Sequence, residues 1–164
     1  MGAQFNWDPG TYLETIRAEI PRFDDLQAAS IAAIPFAPAR VLELGIGTGE
    51  TSRRLLEAYS EAEITGLDSS PEMVFRAREL GIEVRLARME DPLPDGPWDL
   101  VIAVLSVHLL DEAGELDLLR RVREESRALV IGGVEEDPET LAERAGGRVA
   151  WRDGDLAVVA AEYR

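Results

Sequence analysis

A chain of 164 residues with 46% hydrophobic content is sized for one compact domain around a single sizeable core. Its 17 basic and 32 acidic residues leave a formal charge of −15, and every basic side chain is arginine, so a phosphate backbone would be repelled and DNA and RNA are excluded as partners. With no cysteine and one histidine, a disulfide framework, a thiolate nucleophile and a metal centre are excluded too, and no apolar run reaches the roughly 20 residues that span a bilayer. The expectation is a soluble, cytoplasmic protein with no membrane partner, present as a monomer or homodimer.

In chain order, residues 1–38 stand apart. Thr11 to Ile20 has helical period, Pro21 interrupts it, and Phe23 to Ile34 resumes before Pro35 and Pro38. The aromatics Phe5, Trp7, Tyr12 and Phe23 gather here, which suits helices packed on a sheet or a lid over a site. Residues 39–164 then alternate short apolar runs with helical stretches. Arg40 to Gly45 reads as a buried strand and Glu50 to Tyr59 as a helix; Glu63 to Leu67 as a strand and Pro71 to Leu80 as a helix. Ile82 to Ala87 and Trp98 to Leu105 follow as strands three and four, then a helix from Asp111 to Ser126 and a fifth strand from Ala128 to Ile131. Strands and helices at this spacing make βαβ units and a parallel sheet, since each parallel crossover needs an intervening element. After a short helix, Pro138 to Ala145, the runs Arg148 to Arg152 and Asp155 to Ala160 flank Asp153-Gly154, a preferred two-residue turn, and read as an antiparallel hairpin. The predicted fold class is α/β: a Rossmann-like, mainly parallel seven-stranded sheet with helices on both faces and an antiparallel C-terminal hairpin.

The most informative stretch is Val41-Leu-Glu-Leu-Gly-Ile-Gly-Thr-Gly-Glu50. Gly45, Gly47 and Gly49 lie between a strand and a helix, where they let the backbone turn sharply and a ligand approach main-chain atoms. Such a turn suits a dinucleotide, a nucleoside or no ligand at all. Ile64-Thr-Gly-Leu-Asp68 ends the second strand with a carboxylate able to accept both hydroxyls of a ribose seated over the turn. Glu43 two residues before the first glycine, the Gly-x-Gly-x-Gly spacing, and Asp68-Ser-Ser-Pro-Glu-Met73 disfavour a nicotinamide dinucleotide, whose loops carry Gly-x-Gly-x-x-Gly.

Together these residues resemble motif I and the following acidic segment of the class I S-adenosylmethionine-dependent methyltransferases. Asp99 to Leu110 is similar to that family's fourth strand and the turn after it, and the likeness spans residues 41–132. The resemblance implies S-adenosyl-L-methionine as cofactor and methyl transfer to a small-molecule acceptor. Gly45 and Gly47 would face the methionine and adenosine parts, Asp68 the ribose and Ser69 the adenine side. Glu43 would brace the loop or reach the methionine ammonium, Met89 and Glu90 would edge the adenine, and Val104 would lie near the sulfonium. The family's acid after the third strand is replaced by Arg88, which has only donors and cannot accept from an adenine amino group; Glu90 or Asp91 would substitute. Ile20-Pro-Arg-Phe23 is similar to a family segment that ends in tyrosine, so polar contact with the cofactor would fall to Tyr12 or Arg17. The single histidine, His108, follows the fourth strand and is either the catalytic base or a structural residue that packs under the N-terminal lid or caps the helix beginning near Asp111. The alternative is a domain that uses the cofactor structurally or for a non-methylation reaction.

Overall fold

The structure is a computed structural model that describes residues 8–163; Phe5 and Trp7, two of the aromatics assigned to the N-terminal segment, lie outside the described residues. Two helices, α1 (Tyr12–Glu19) and α2 (Phe23–Ala32), precede the first strand, β1 (Arg40–Leu44). There follow α3 (Glu50–Ala58), β2 (Glu63–Asp68), α4 (Pro71–Ala77), β3 (Glu83–Leu86), β4 (Leu100–Val104), α5 (Glu112–Glu125), β5 (Ala128–Val134), α6 (Pro138–Ala145), β6 (Arg148–Asp153) and β7 (Leu156–Glu162). They form one seven-stranded sheet in the order β3-β2-β1-β4-β5-β7-β6, with β3, β2, β1, β4 and β5 parallel and β7 antiparallel between β5 and β6. The seven-stranded Rossmann-like expectation is met.

Strand alternation assigns the faces. Leu42 and Leu44 of β1 pack in one core with Leu118, Leu119 and Val122 of α5 and Leu141 of α6. Val41 of the same strand packs in a second core, on the other face, with Leu26 of α2 and Leu55 of α3. Both faces of the parallel strands are therefore covered, which is why they read as continuous apolar runs. In α2, Phe23 and Leu26 are fully buried, so this helix is part of the core rather than a loose cover.

Helix boundaries follow local chemistry. Ser70 caps α4 by accepting from the Met73 N–H, and Asp111 caps α5 by accepting from the Gly114 N–H at 2.7 Å. Asp137 does the same for α6, with Pro138 in its first turn.

Three expected boundaries need correction. The α-helix predicted to Leu80 ends at Ala77 and tightens into a single 3₁₀ turn, Arg78–Leu80, as helix ends commonly do. Trp98 stands outside β4 and joins the sheet through one isolated bridge to Ser126. In the terminal hairpin Asp153 pairs with Leu156, so the central turn residues are Gly154 and Asp155 rather than Asp153 and Gly154. Only Gly154 has positive φ, +60°, the pattern of a turn whose first central position favours glycine, whereas the Asp-Gly turn would need positive φ at both.

Candidate functional site

The order reverses between β1 and β4: the chain leaves β1 toward β2 on one side and returns to β4 on the other. At such a point the connections after the strands diverge and open a crevice at their carboxyl ends. Here that crevice receives the glycine turn after β1 and the segment after β4.

Gly45 has φ +66°, and a methyl group on its Cα would stand 2.5 Å from the Ser106 Cβ. Ser106 donates to the Leu44 carbonyl at 3.0 Å, which draws the turn after β4 against the turn after β1. Glycine at 45 is therefore imposed by packing as well as by backbone conformation. Gly47, with φ +57°, has, among the described residues, the Tyr12 ring alone within 4 Å of its missing side chain, so this part of the turn faces α1. Gly49 has φ +95° and caps α3.

Asp68 reaches this turn from the end of β2. Its Oδ2 accepts from the Gly47 N–H at 2.9 Å and its Oδ1 from the Ser70 N–H at 2.9 Å. The half-buried carboxylate thus ties the two loops that flank the crevice, and keeps lone pairs for further donors.

Glu43 lies on the α2/α3 side of β1, where alternation places it with Val41, and it is 1% exposed. Ser52 of α3 donates to its Oε1 at 2.5 Å. Burial pushes the carboxyl up to about 8; the Ser52 bond opposes this and the charge of Asp68 adds to it. Tyr12 of α1 stands above, and burial, with Asp68, Glu43 and Glu19 adding, pushes its phenol to about 12, so it stays protonated.

These groups surround a cavity of about 20 Å³ lined by Tyr12, Phe23, Glu43, Glu50, Val104 and Leu105, among others. A cofactor-sized ligand needs a pocket of ~300 Å³ or more, far more than this cavity holds. Among the described residues, α1 buries Ile16, and Arg17 meets Asp24 of α2 in an exposed ion pair at 3.1 Å.

The structure thus brings together Tyr12, Glu43, Gly45, Gly47, Asp68 and Val104. Ser69 is exposed beside Asp68, and Met89 is half-buried against the α5 core. Arg88 pairs with Glu90 at 2.9 Å and its N–H is accepted by Asp91, so both acids expected to stand in for the family's adenine acceptor are engaged with residue 88 itself. Arg17 is taken up by Asp24, which leaves Tyr12 as the polar group of α1 over the turn. His108 is exposed on the short 3₁₀ turn Val107–Leu109, with no hydrogen bond or ion pair among the described residues, and lies outside the cavity lining. Desolvation of its part-covered ring lowers its pKa from the ordinary 6.5.

Several contributors escaped the sequence reading. Ser52 holds Glu43, and Thr51 donates to the Gln27 Oε1 at 2.9 Å, a buried link between α3 and α2. Glu50, 8% exposed, is held by Arg53 and by Arg54 at 3.4 Å. Leu105 carries φ +59°, alone among the described non-glycine residues, and its N–H donates to the Gly132 carbonyl. Strain at the end of a central strand gathers at functional sites. A polar pair, Thr51-Ser52, on the otherwise buried side of the first helix after a glycine turn was the available signal for the first two; nothing in the sequence marks Leu105.

A family model described as a methyltransferase domain matches residues 41–133. Trans-aconitate 2-methyltransferase from Mycobacterium tuberculosis (strain ATCC 25177 / H37Ra) is 34% identical over 144 residues, 85% of this chain and 53% of that protein. The Streptomyces avermitilis protein of the same name is 33% identical over 106 residues, 60% of this chain and 39% of its own. The chain spans about half the length of the curated relatives it matches, or less. Among solved structures, the DhpI–S-adenosylhomocysteine complex superposes with a TM-score of 0.73 at 20% identity, covering 94% of this chain and 93% of that one. The human N-acetylserotonin methyltransferase complex with S-adenosylmethionine gives 0.70 at 17% identity, covering 95% and 56%. The matched span opens at Val41, runs through the glycine turn and Asp68, and closes one residue before the end of β5; on that match the chain belongs to the methyltransferase-domain family, with the Rossmann-like fold of its class I members.

Proposed function

We propose that this chain binds S-adenosylmethionine over the β1–α3 turn and transfers its methyl group to a small molecule in the cytoplasm. The observation that carries the reading is the contact between Asp68 and the Gly47 N–H, which sets a carboxylate with spare lone pairs directly against a glycine turn. That donor set fits a nucleoside: Asp68 accepts from ribose hydroxyls, and the turn offers main-chain atoms unshielded by a Cβ. When bound, the cofactor supplies a methyl group on a positively charged sulfur, the reactive carbon of an in-line displacement.

The chain's own work is alignment and exclusion of water, which can supply several kcal/mol through orientation. Glu43 braces the turn through Ser52 and meets the methionine ammonium. Val104 gives an apolar wall beside the reacting centre. Ser69, Met89 and Glu90 edge the adenine end, and α1 with Tyr12 is the cover that closes over the site. His108 takes the proton of an acceptor that carries one. Among the described residues no helix is long and apolar enough to cross a membrane.

The names of the sequence relatives bring a tricarboxylate, trans-aconitate, forward as the first acceptor to assay. Calorimetry with S-adenosylmethionine and S-adenosylhomocysteine, followed by an acceptor screen with methyl-labelled cofactor, tests the proposal. Saturable binding and a labelled product are expected; binding of neither ligand would defeat it.

A further inference from the structure

Glu43 is the most deeply buried carboxyl group among the described residues. It sits in β1 between Gly66 of β2 and Ile102 of β4, and it lines the cavity beside the glycine turn. Among the described residues no basic side chain lines that cavity.

The elements packed around Glu43 bring it hydrogen-bond donors and negative charge but no cation. From α3 comes the Ser52 hydroxyl, which donates to its Oε1 at 2.5 Å, and Glu50, which Arg53 and Arg54 hold. From α2 come the Phe23 ring and the Gln27 amide, whose oxygen is taken by Thr51. The Tyr12 phenol of α1 stays protonated, and Asp68 at the end of β2 adds a charge that opposes ionisation of Glu43. From β4 the lining receives Val104, while His108 lies outside it. Arg17 and Arg54 both pair with Asp24, at 3.1 and 2.5 Å. A carboxyl buried without a cation holds its proton, since desolvation disfavours the charged form. For Glu43 burial pushes the pKa up to about 8.

We infer that Glu43 gives up its proton when a cationic group of the ligand enters beside it, so that cofactor binding releases a proton and tightens as pH rises; this rests on the proposed seat of the methionine ammonium at Glu43. In the balanced step the carboxylic acid ionises, its proton passes to the buffer, and the ammonium keeps its own protons opposite the carboxylate that forms. Ser52 donates to the carboxylate as it does to the acid, so the turn keeps its brace. An opposite charge within about 4–6 Å lowers a carboxyl's pKa by about 1–3, which for Glu43 ionises about half of it or more at pH 7. Proton release is easier at higher pH, so affinity should rise about 5- to 50-fold between pH 6 and pH 8.

Calorimetric titration of the full chain with S-adenosylhomocysteine at pH 7, in phosphate and in Tris, reads the released protons, because the two buffers differ in ionisation enthalpy. About 0.4–0.9 proton per ligand is expected. Methylthioadenosine, which keeps the nucleoside but lacks the ammonium, should bind without release. E43Q, an amide of the acid's shape, should bind S-adenosylhomocysteine without release and with an affinity that is flat between pH 6 and pH 8. The two wild-type titrations decide the matter even if E43Q does not fold. Saturable binding with equal heats in both buffers would overturn the linkage alone, as would release that is undiminished in E43Q or as large with methylthioadenosine. Absence of binding by either ligand would overturn the cofactor reading and the linkage with it.

Discussion

Replacing Asp68 with alanine has two consequences whose sizes can be worked from its contacts. The carboxylate accepts from two backbone N–H groups, Gly47 and Ser70, both at 2.9 Å. Each such bond to a half-exposed carboxylate contributes ~1 kcal/mol net, so D68A should cost about 2 kcal/mol in stability. For a domain of this size that is about 4–8 °C in melting temperature. Loss of two ribose hydroxyl partners should weaken S-adenosylhomocysteine by about 1–3 kcal/mol, roughly 5- to 150-fold. Because the same carboxylate also orders the turn, a fall in affinity alone would not assign it to the ribose. A double-mutant cycle separates the two effects. Wild type should lose affinity when the ligand lacks one ribose hydroxyl, whereas D68A should be nearly indifferent to that deletion. Calorimetry provides the affinities and thermal denaturation the stability. An affinity in D68A within twofold of wild type, or an equal penalty for the deoxy ligand in both proteins, would refute the ribose role and leave Asp68 as a brace between loops.

Glu43, whose folded pKa is raised to about 8 from 4.5 chiefly by burial, should lower stability as pH rises from about 4.5 through about 8, because the unfolded chain ionises first. The slope contributed cannot exceed ~1.4 kcal/mol per pH unit, and urea midpoints of wild type and E43Q that run parallel over this range would contradict it. H108Q should keep cofactor affinity yet lower turnover on a protonated acceptor by roughly 10²- to 10⁴-fold and erase an acidic limb centred below pH 6.5; intact pH–rate profiles would withdraw the base assignment. G45A should unfold at a markedly lower temperature than G47A, since the first methyl meets the Ser106 Cβ at 2.5 Å while the second, among the described residues, meets the Tyr12 ring at 3.9 Å. Positive φ costs both variants about 1–2 kcal/mol, so equal melting temperatures would show that the β1 and β4 turns yield to each other. Hydrogen exchange in α1 should slow when S-adenosylhomocysteine binds, and an exchange rate unaffected by ligand would make α1 a static part of the fold.

The succession of strands and helices along the chain up to β5, the glycine turn and the acid ending β2 were legible in the residues themselves, because period and turn chemistry are local properties that a short window of sequence carries. Gly45, Gly47 and Asp68 could be named as partners because the spacing of a βαβ unit leaves them one place to meet. What each does there was not legible. Gly45 yields to Ser106, a residue of another strand's turn, and Glu43 depends on Ser52 for its hydrogen bond and on the α2/α3 core for the burial that keeps its proton. The hairpin register slipped by one residue because a two-residue turn is defined by which strand residues pair, and Asp153 pairs with Leu156. Likewise α2 proved to be core, with Phe23 and Leu26 fully buried, and among the described residues it is Tyr12 of α1 that covers Gly47. The charges followed the same division: 17 arginines can be counted in the sequence, but only the tertiary structure decides that those near the cavity are paired. Propensity and periodicity act over a few residues, whereas burial, pKa and ion pairing depend on groups that the chain brings together from tens of residues apart.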